Sequence, residues 1–342
     1  MAAPPPPVPN WAELPDDALL TVFERLGSAD VLLGASVVCR SWFRIATREP
    51  RLWRRVDLAD CCFDPTTDME AMARAAVDRA AGRLEHFAAD RFATGKLLRY
   101  IATRTNCLKS LCLLTCMDFR YKDLVVVGKR NPNLEELELT GCLPVRSILK
   151  IPMEVIGRAF PHLKRFQLNN RWANIELDEF LDNYQALGIS NSMPELHSLQ
   201  LFANRLHNNA LHDILDKCPH LESLDIRQCF NIEVDAALKA KCSRLKDARF
   251  PKDSTKDYEY ETFTESPMPG SLTFAIDPPP PPPNYGYPSS DEDGECDDED
   301  CENDGNDSDD DGEDVENQNE DSDDSDLEYL GHIMTHIAGF MV

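Results

Sequence analysis

The middle of the chain repeats one hydrophobic pattern, Leu-x-x-Leu-x-Leu, at intervals of 24 to 33 residues. The first leucines of the copies, of which the two outermost are the least complete, are Leu84, Leu108, Leu134, Leu163, Leu196, Leu221 and Leu245. Apolar residues at alternate positions predict a strand with one buried face. A recurring period of this length predicts one structural unit per copy.

Amphipathic segments of helical period fill the gaps between these strands. The predicted helices are Met69–Ala81, Lys96–Thr103, Lys122–Lys129, Met153–Phe160, Glu179–Ala186, Ala210–Lys217 and Ala236–Ala240. A proline stands two residues before the first leucine at Pro132, Pro161, Pro194 and Pro219. A proline there would stop the preceding helix, so each unit consists of strand, turn, helix and stop.

A cysteine or asparagine follows four of the strands, three residues after the last apolar position. These residues are Cys116, Cys142, Asn204 and Cys229. In a leucine-rich repeat this side chain turns inward and satisfies backbone groups where the chain leaves the strand. A fifth copy has Arg171 at this position with Asn170 beside it, which predicts a turn shifted by one residue.

We therefore predict an α/β fold, in which residues 56–250 form a right-handed leucine-rich-repeat solenoid. Its strands would line the concave face and its helices the convex face, and neighbouring units would stack to bury their apolar sides. An array of amphipathic helices is the alternative. It would not explain the alternating apolar positions or the recurring cysteines.

The N-terminal block, residues 11–55, has a different pattern. Leu14-Pro15-Asp16-Asp17 is typical of a helix start, because proline suits the first turn and acids favour the positive helix end. Leu19, Val22, Phe23 and Leu26 then form one apolar helical stripe. A unit of roughly 40 residues cannot bury this much apolar side chain alone. Part of the surface is therefore expected to meet the next domain or another protein.

The spacing of these residues resembles the F-box, a small helical motif. The resemblance implies docking on a Skp-type adaptor, which connects the motif to a cullin–RING ubiquitin ligase. The residues that match the motif, and that we expect at the adaptor interface or in support of it, are Leu14, Pro15, Leu19, Val22, Phe23, Leu26, Val31, Val38, Cys39, Arg40 and Trp42. The alternative is that these helices only cap the solenoid.

An F-box followed by cysteine-containing leucine-rich repeats and an acidic tail is similar to the plant F-box/leucine-rich-repeat proteins. That resemblance implies that the solenoid selects the protein to be ubiquitinated. Residues between the strand leucines should line the concave face. Our substrate-binding candidates are Cys112, Glu136, Glu138, Arg165, Gln167, Gln200, Phe202, Asp225 and Arg227. Phe202 and the arginines are the residue types that dominate binding energy. Solvated strand positions without a role are the alternative for each.

The charge pattern sets apart the C-terminal part of the chain. The net charge is −26, yet 23 of the 61 acids and no Lys or Arg lie from Asp291 onward, leaving 38 acids against 35 bases. Acids at that density, after the proline run Pro278–Pro283, predict a disordered tail over residues 251–342. Residues 1–10 form a proline-rich leader. The absence of a basic face argues against a nucleic-acid partner.

Other function classes lack their residue patterns. No phosphate-binding loop or zinc-protease motif occurs, so we expect no catalytic residues, no metal and no cofactor. No apolar run is long enough for a membrane span. Twelve cysteines without a recognisable signal peptide suggest reduced thiols, hence the nucleus and/or cytoplasm. The rival hypotheses are an acidic-tailed binder or chaperone of basic proteins outside the ubiquitin system and, least favoured, a hydrolase with an unrecognised site.

Overall fold

The computed structural model describes residues 14–59, 67–142, 153–170 and 183–258, together with Tyr260. These residues belong to one compact unit that covers residues 1–273. The predicted proline-rich leader, the proline run and the acidic tail from Asp291 lie outside the described residues.

Three short helices form the N-terminal part: α1 (Asp16–Arg25), α2 (Ser28–Leu33) and α3 (Arg40–Arg48). Single 3₁₀ turns, Ala35–Val37 and Pro50–Trp53, follow α2 and α3. Pro15 stands at the N-cap of α1, and two acids occupy its first turn. The predicted helix start is therefore confirmed. The acids are favourable there because the N-terminal end of the helix dipole is positive.

A regular alternation of strands and helices follows. The strands are β1 (Arg55–Leu58), β2 (His86–Asp90), β3 (Ser110–Leu114), β4 (Glu136–Thr140), β5 (Arg165–Asn169), β6 (Ser198–Gln200), β7 (Ser223–Asp225) and β8 (Asp247–Arg249). The helices are α4 (Met69–Arg79), α5 (Gly95–Arg104), α6 (Tyr121–Arg130), α7 (Met153–Ala159), α8 (Tyr184–Ser192), α9 (Asn208–Lys217) and α10 (Ala236–Cys242).

The strands that the structure describes form one parallel sheet in the order β1 to β8. Equivalent residues of successive repeats lie side by side, as in the column Phe87, Leu111, Leu137, Phe166 and Leu199. All of them are at most 1% exposed. The predicted solenoid is confirmed: each repeat supplies one rung, and apolar columns between the sheet and the helices fill its interior.

The curvature follows from the two layers. Neighbouring parallel strands are about 4.8 Å apart, whereas packed helices need about 8–10 Å. The sheet is therefore on the inner, concave side. Glycines bring some helices unusually close, since a Cβ on Gly128 of α6 would stand 2.6 Å from the Ala159 oxygen of α7. A Cβ on Gly188 of α8 would similarly stand 2.7 Å from that of Met153.

The predicted turn residues are buried and satisfy backbone carbonyls of the preceding rung. The Cys142 thiol donates to the Leu113 oxygen at 3.0 Å, and the Cys229 thiol donates to the Leu201 oxygen at 2.8 Å. The Asn204 amide donates to the Leu168 oxygen at 2.6 Å. These contacts confirm the structural role that we predicted for this position of the repeat.

Two boundaries differ from the sequence prediction. The sheet begins one rung earlier, because β1 already pairs with β2 from Arg55. Helix α8 continues to Ser192, beyond the predicted end at Ala186, and stops just before Pro194, while part of the predicted segment lies outside the described residues. Its apolar positions are too evenly distributed for a sharp periodicity. Among the described residues, no helix has the length and apolar character that a membrane span requires.

Candidate functional sites: an apolar helical surface and a polar concave face

Part of the N-terminal apolar stripe forms the interior of the three-helix motif. Leu19, Phe23 and Val31 are at most 2% exposed. The Trp42 ring packs edge-on against Phe23, with centroids 5.5 Å apart. The indole of Trp53 is buried and donates to the Ala46 oxygen at 2.7 Å. These side chains hold the motif together. They would not contact an adaptor directly but would fix the positions of the neighbouring residues that do.

Other apolar residues of the motif face outward. We define the F-box apolar surface as Val22, Leu26 and Leu33, each 38% exposed, and Val38, which is 58% exposed. Leu33 was not among our sequence candidates. The hydrophobic pattern does not identify it, because Val31, Leu32 and Leu33 are adjacent apolar residues of α2. Only the packing decides which of them faces solvent.

The remaining adaptor candidates lie around this surface in differing degrees of exposure. Pro15 and Arg40 are exposed, whereas Leu14, Cys39 and Trp42 are half-buried. All of the candidates thus belong to one small motif. Their contact with an adaptor stays a prediction.

Helix α2 attaches the motif to the first rung of the solenoid. The Ser28 hydroxyl donates to the Asp57 oxygen at 2.9 Å and accepts from the Asp57 backbone N–H at 2.7 Å. This reciprocal pair fixes α2 against β1. Within the motif, Arg44 of α3 pairs with Asp16 of α1 at 2.8 Å. The helical motif and the sheet therefore form one continuous structure.

The concave face presents two rows of mostly polar side chains along the sheet. The first row is Arg55, His86, Ser110, Glu136, Arg165, Ser198, Ser223 and Asp247. The second row is Asp57, Ala88, Cys112, Glu138, Gln167, Gln200, Asp225 and Arg249. The rungs that we aligned from the sequence are confirmed in register, and seven of our nine substrate candidates lie in these rows.

Hydrogen bonds connect neighbours along the second row. The Cys112 thiol donates to Glu138 at 3.4 Å, and the Gln200 amide donates to Asp225 at 3.1 Å. With its amide oriented to satisfy both groups, Gln167 donates to Glu138 at 3.0 Å. Burial, reinforced by the Glu138 charge, raises the pKa of the Cys112 thiol well above its usual range. The thiol therefore stays protonated, as its role as donor requires.

Phe202 and Arg227, the other two substrate candidates, are not open to solvent. Each is only 3% exposed. Phe202 nevertheless lies outside the apolar cluster that fills the solenoid interior. Its burial has another cause: the ring of Tyr258 stacks on it with centroids 3.8 Å apart and planes 11° apart. The prediction of an exposed aromatic at this place is corrected, because a distant part of the chain covers it.

The covering segment, which we call the strap, consists of residues 254–258 and Tyr260. Arg227 donates to the Ser254 oxygen at 2.8 Å and to the Asp257 carboxylate at 2.6 Å. Arg249 also pairs with Asp257. Farther along, the Tyr260 hydroxyl donates to Glu138 at 2.7 Å. The strap therefore crosses the concave face from β8 to β4.

The strap corrects part of the sequence prediction for the C-terminal region. The sequence predicts a disordered tail from residue 251, because residues 251–260 are polar and lack a helical or strand period. The structure instead describes residues 251–258 and Tyr260, and it holds Ser254, Asp257, Tyr258 and Tyr260 against the concave face through the contacts above. Such contacts leave no periodic trace in the sequence.

The N-terminal end of the concave face carries a half-buried histidine. Burial, aided by the Arg55 charge, lowers the pKa of His86. Its Nε2 atom is 3.9 Å from the Asp57 carboxylate, and none of the residues that the structure describes forms a hydrogen bond with it. In the ranges that the structure describes, no three His, Cys, Asp or Glu side chains are grouped as a metal site.

Comparison with known proteins identifies the family to which this architecture corresponds. A family model described as F-box-like matches residues 11–59. The chain is similar to the putative F-box/LRR-repeat protein 22 of Arabidopsis thaliana, 39% identical over 295 residues, which cover 82% of this chain and 88% of the relative. The chain belongs to the F-box/LRR-repeat proteins.

Two further relatives support this membership of the F-box/LRR-repeat family. The putative F-box/LRR-repeat protein 23 of Arabidopsis thaliana is 41% identical over 253 residues, 72% of this chain and 54% of the relative. F-box protein SKIP19 of the same plant is 36% identical over 253 residues, 73% of this chain and 80% of the relative. The yeast Rad7 and Elc1 complex has a TM-score of 0.32 at 15% identity over 69% of this chain and 47% of that chain, too distant to bear on function.

Proposed function

We propose that this F-box/LRR-repeat protein is the substrate-receiving subunit of an SCF-type ubiquitin ligase. Its F-box would bind a Skp-type adaptor, and its concave face would bind the target protein. The observation that carries the proposal is the F-box apolar surface, an exposed set of aliphatic side chains on a motif that is fixed rigidly to a solenoid. Family membership supports it, because F-box/LRR-repeat proteins are generally non-catalytic adaptors.

The adaptor half of the proposal rests on the cost of exposed aliphatic surface. Each Å² of apolar area removed from water contributes about 25 cal/mol, and Val22, Leu26, Leu33 and Val38 remain partly in water. Phe23 and Trp42 pack against each other in the interior of the same motif, which holds the helices that carry these side chains in place. A preorganised apolar surface loses little entropy when a partner covers it.

The substrate half of the proposal rests on the chemistry of the concave rows. They combine acids such as Glu136 and Glu138 with bases such as Arg55 and Arg165 on a rigid parallel sheet. A polar surface with charges of both signs favours specificity over affinity, because a wrong partner leaves desolvated charges unpaired. The target would make contact with several rungs at once.

The chain would act by proximity rather than by chemistry. Linking the target to the ligase raises the effective concentration of its lysines near the ubiquitin carrier. The thiols that lie in the solenoid point to a structural role, since Cys142 and Cys229 are buried donors to backbone carbonyls. We propose the reducing interior of the cell, nucleus or cytoplasm, as the place of this activity.

The test is binding of the purified full chain to a Skp-type adaptor, measured by calorimetry. We expect one-to-one association, and we expect the variant with Leu26→Asp and Val38→Asp to bind at least about 100-fold more weakly. The melting temperature of this variant should stay within a few degrees of the wild type, because both side chains are already exposed.

The control is Val126→Asp, a single change of the same chemical type at a residue that is 36% exposed on α6 of the solenoid. It should bind the adaptor like the wild type. Absence of association for the wild type, or equal weakening by the control, would contradict the proposal.

A further inference from the structure

The strap lies on the concave face as a bound peptide would. It enters from the turn after β8, where the Gln228 N–H donates to the Pro251 oxygen at 3.0 Å. It then runs over the ends of β7 and β6 and reaches β4, where Tyr260 contacts a residue 122 positions earlier in the chain. Its side chains make contact with four of our nine substrate candidates, namely Cys112, Glu138, Phe202 and Arg227.

Two arginines hold the acidic residue of the strap. Arg227 and Arg249 both donate to the Asp257 carboxylate. Arg227 itself is 3% exposed and is oriented by Asp225, to which it donates at 2.7 Å. A buried guanidinium with one fixed carboxylate partner and one incoming carboxylate is a well-defined acceptor for a negatively charged side chain.

Aromatic contacts fix the next two described side chains. Tyr258 stacks on Phe202, and the Arg227 guanidinium lies 5.9 Å from the centre of the Tyr258 ring. Tyr260 packs edge-on against Tyr258, with centroids 5.6 Å apart, and donates its hydroxyl to Glu138 at 2.7 Å. The surface therefore contacts an acid, an aromatic ring at the next position of the segment and a phenol two positions after that ring.

The strap is held lightly compared with the solenoid interior. The Asp257 side chain is 52% exposed, and Ser254 and Lys256 are exposed as well. No strand or helix is described within the strap. Segments with many exposed residues and few buried apolar contacts open at low free-energy cost. A competing segment of the same chemistry could therefore replace it.

We propose that the concave face from β4 to β8 recognises, in its target, an extended segment of the form Asp-Tyr-x-Tyr, and that the strap occupies this site when no target is bound. The inference rests on the proposed function, in which the concave face receives the target. It adds the chemical class of the target segment. It also gives the strap a role: being tethered, it sets an affinity threshold that a target must exceed.

The charges around the phenol add a selectivity rule. The Tyr260 hydroxyl donates to Glu138, and Glu136, which pairs with Arg165, lies two residues earlier on β4. A phosphate on this tyrosine would bring about two negative charges against the Glu138 carboxylate. The site therefore accepts the unmodified tyrosine and rejects the phosphorylated one.

The first experiment measures binding of a fluorescent peptide with the sequence of residues 254–262, Ser-Thr-Lys-Asp-Tyr-Glu-Tyr-Glu-Thr, to the full chain. The wild type should bind weakly because its own strap competes. The Tyr258→Ala, Tyr260→Ala variant should bind at least about tenfold more tightly. Phe230→Ala is the matched control, since this aromatic residue is 61% exposed elsewhere on the solenoid, and it should behave like the wild type.

A milder variant guards against misfolding. Tyr260→Phe removes only the hydroxyl group, and with it the bond to Glu138, so it should stay folded and bind the peptide about threefold more tightly than the wild type. On the strap-released variant, a peptide with Asn in place of the aspartate should bind at least about threefold more weakly. A peptide phosphorylated on the second tyrosine should show no binding in the same range.

Adaptor binding measured on the same samples separates the two proposals. If the released, folded variants bind the adaptor but not the peptide, the strap is a permanent part of the fold and this inference is overturned while the proposed function stands. Equal binding of the matching and phosphorylated peptides would also overturn it. If the peptide binds and the adaptor does not, the recognition site stands and the proposed function fails.

Discussion

The two candidate binding surfaces of this F-box/LRR-repeat protein differ in chemistry and in exposure. The F-box apolar surface is aliphatic and open to solvent on α1, α2 and the turns that follow them. The concave face is polar and charged, and the strap covers its C-terminal half. An exposed aliphatic surface suits binding of one invariant partner. A polar surface that another segment of the chain covers suits discrimination between different partners.

The two surfaces also differ in the packing that supports them. Under the F-box apolar surface lies a small core in which Phe23 and Trp42 meet. Under the concave rows lies a long stack of leucine columns, which fixes every rung relative to its neighbours. The first surface is therefore sensitive to single core residues, while the second is supported by many repeats.

The largest expected effect is on stability, and it distinguishes buried from exposed apolar residues of the F-box. Phe23→Ala removes a side chain that is 1% exposed and should lower the free energy of unfolding by about 3–5 kcal/mol. Val22→Ala, one residue earlier at 38% exposure, should change it by no more than about 0.5 kcal/mol. Urea titration of both variants measures this. If Val22→Ala costs as much as Phe23→Ala, the outward-facing residues belong to the fold rather than to an interface.

The next effect concerns the close helix packing that supports the concave face. Alanine usually stabilises a helix relative to glycine, yet Gly128→Ala should lower the free energy of unfolding by about 1–3 kcal/mol. The reason is the Ala159 oxygen, which a Cβ at this position would approach to 2.6 Å. Lys129→Ala, at the exposed neighbouring position, is the control and should be within about 0.5 kcal/mol of the wild type. A stabilising Gly128→Ala would show that α6 and α7 are less tightly packed than this.

A smaller effect distinguishes strap contacts from core contacts. In a double-mutant cycle of Phe202→Ala and Tyr258→Ala, the coupling free energy of unfolding should be about 0.5–1.5 kcal/mol, as for a stacked aromatic pair. Phe166 belongs to an interior column, so a cycle of Phe166→Ala with Tyr258→Ala should be additive. Additivity for the Phe202 pair would mean that the strap does not stay on this face in solution.

The smallest effect is a pH dependence at the uncovered end of the concave face. Burial lowers the pKa of His86, so below its unfolded pKa of about 6.5 the unfolded chain binds a proton that the folded chain resists. The contribution of His86 is thus fully present above about pH 6.5 and is lost as the pH falls through the folded pKa. Replacing it by Gln should flatten stability between about pH 6.5 and 5, measured by thermal melts. An unchanged slope would show that His86 titrates in the folded chain as it does in the unfolded one.

Much of the fold could be predicted because leucine-rich repeats depend on local patterns. The alternation Leu111-x-Leu113 defines a strand and its buried face, and the same phase in the next repeat places Leu137 beside Leu111. The concave rows follow from that register, so seven of nine substrate candidates could be placed from the sequence. Likewise, Pro15 and the acids after it marked the beginning of α1.

What the sequence by itself determined was therefore the repeat period, the strand register and the position of the F-box. The tertiary structure alone decided that Leu33 is exposed while Val31 is buried, and that Tyr260 lies on Glu138. The physical reason is the range of the interactions. Periodicity reports contacts between residues a few positions apart or one repeat apart, whereas the strap joins residues 122 positions apart through single polar and aromatic contacts that only the folded solenoid brings together.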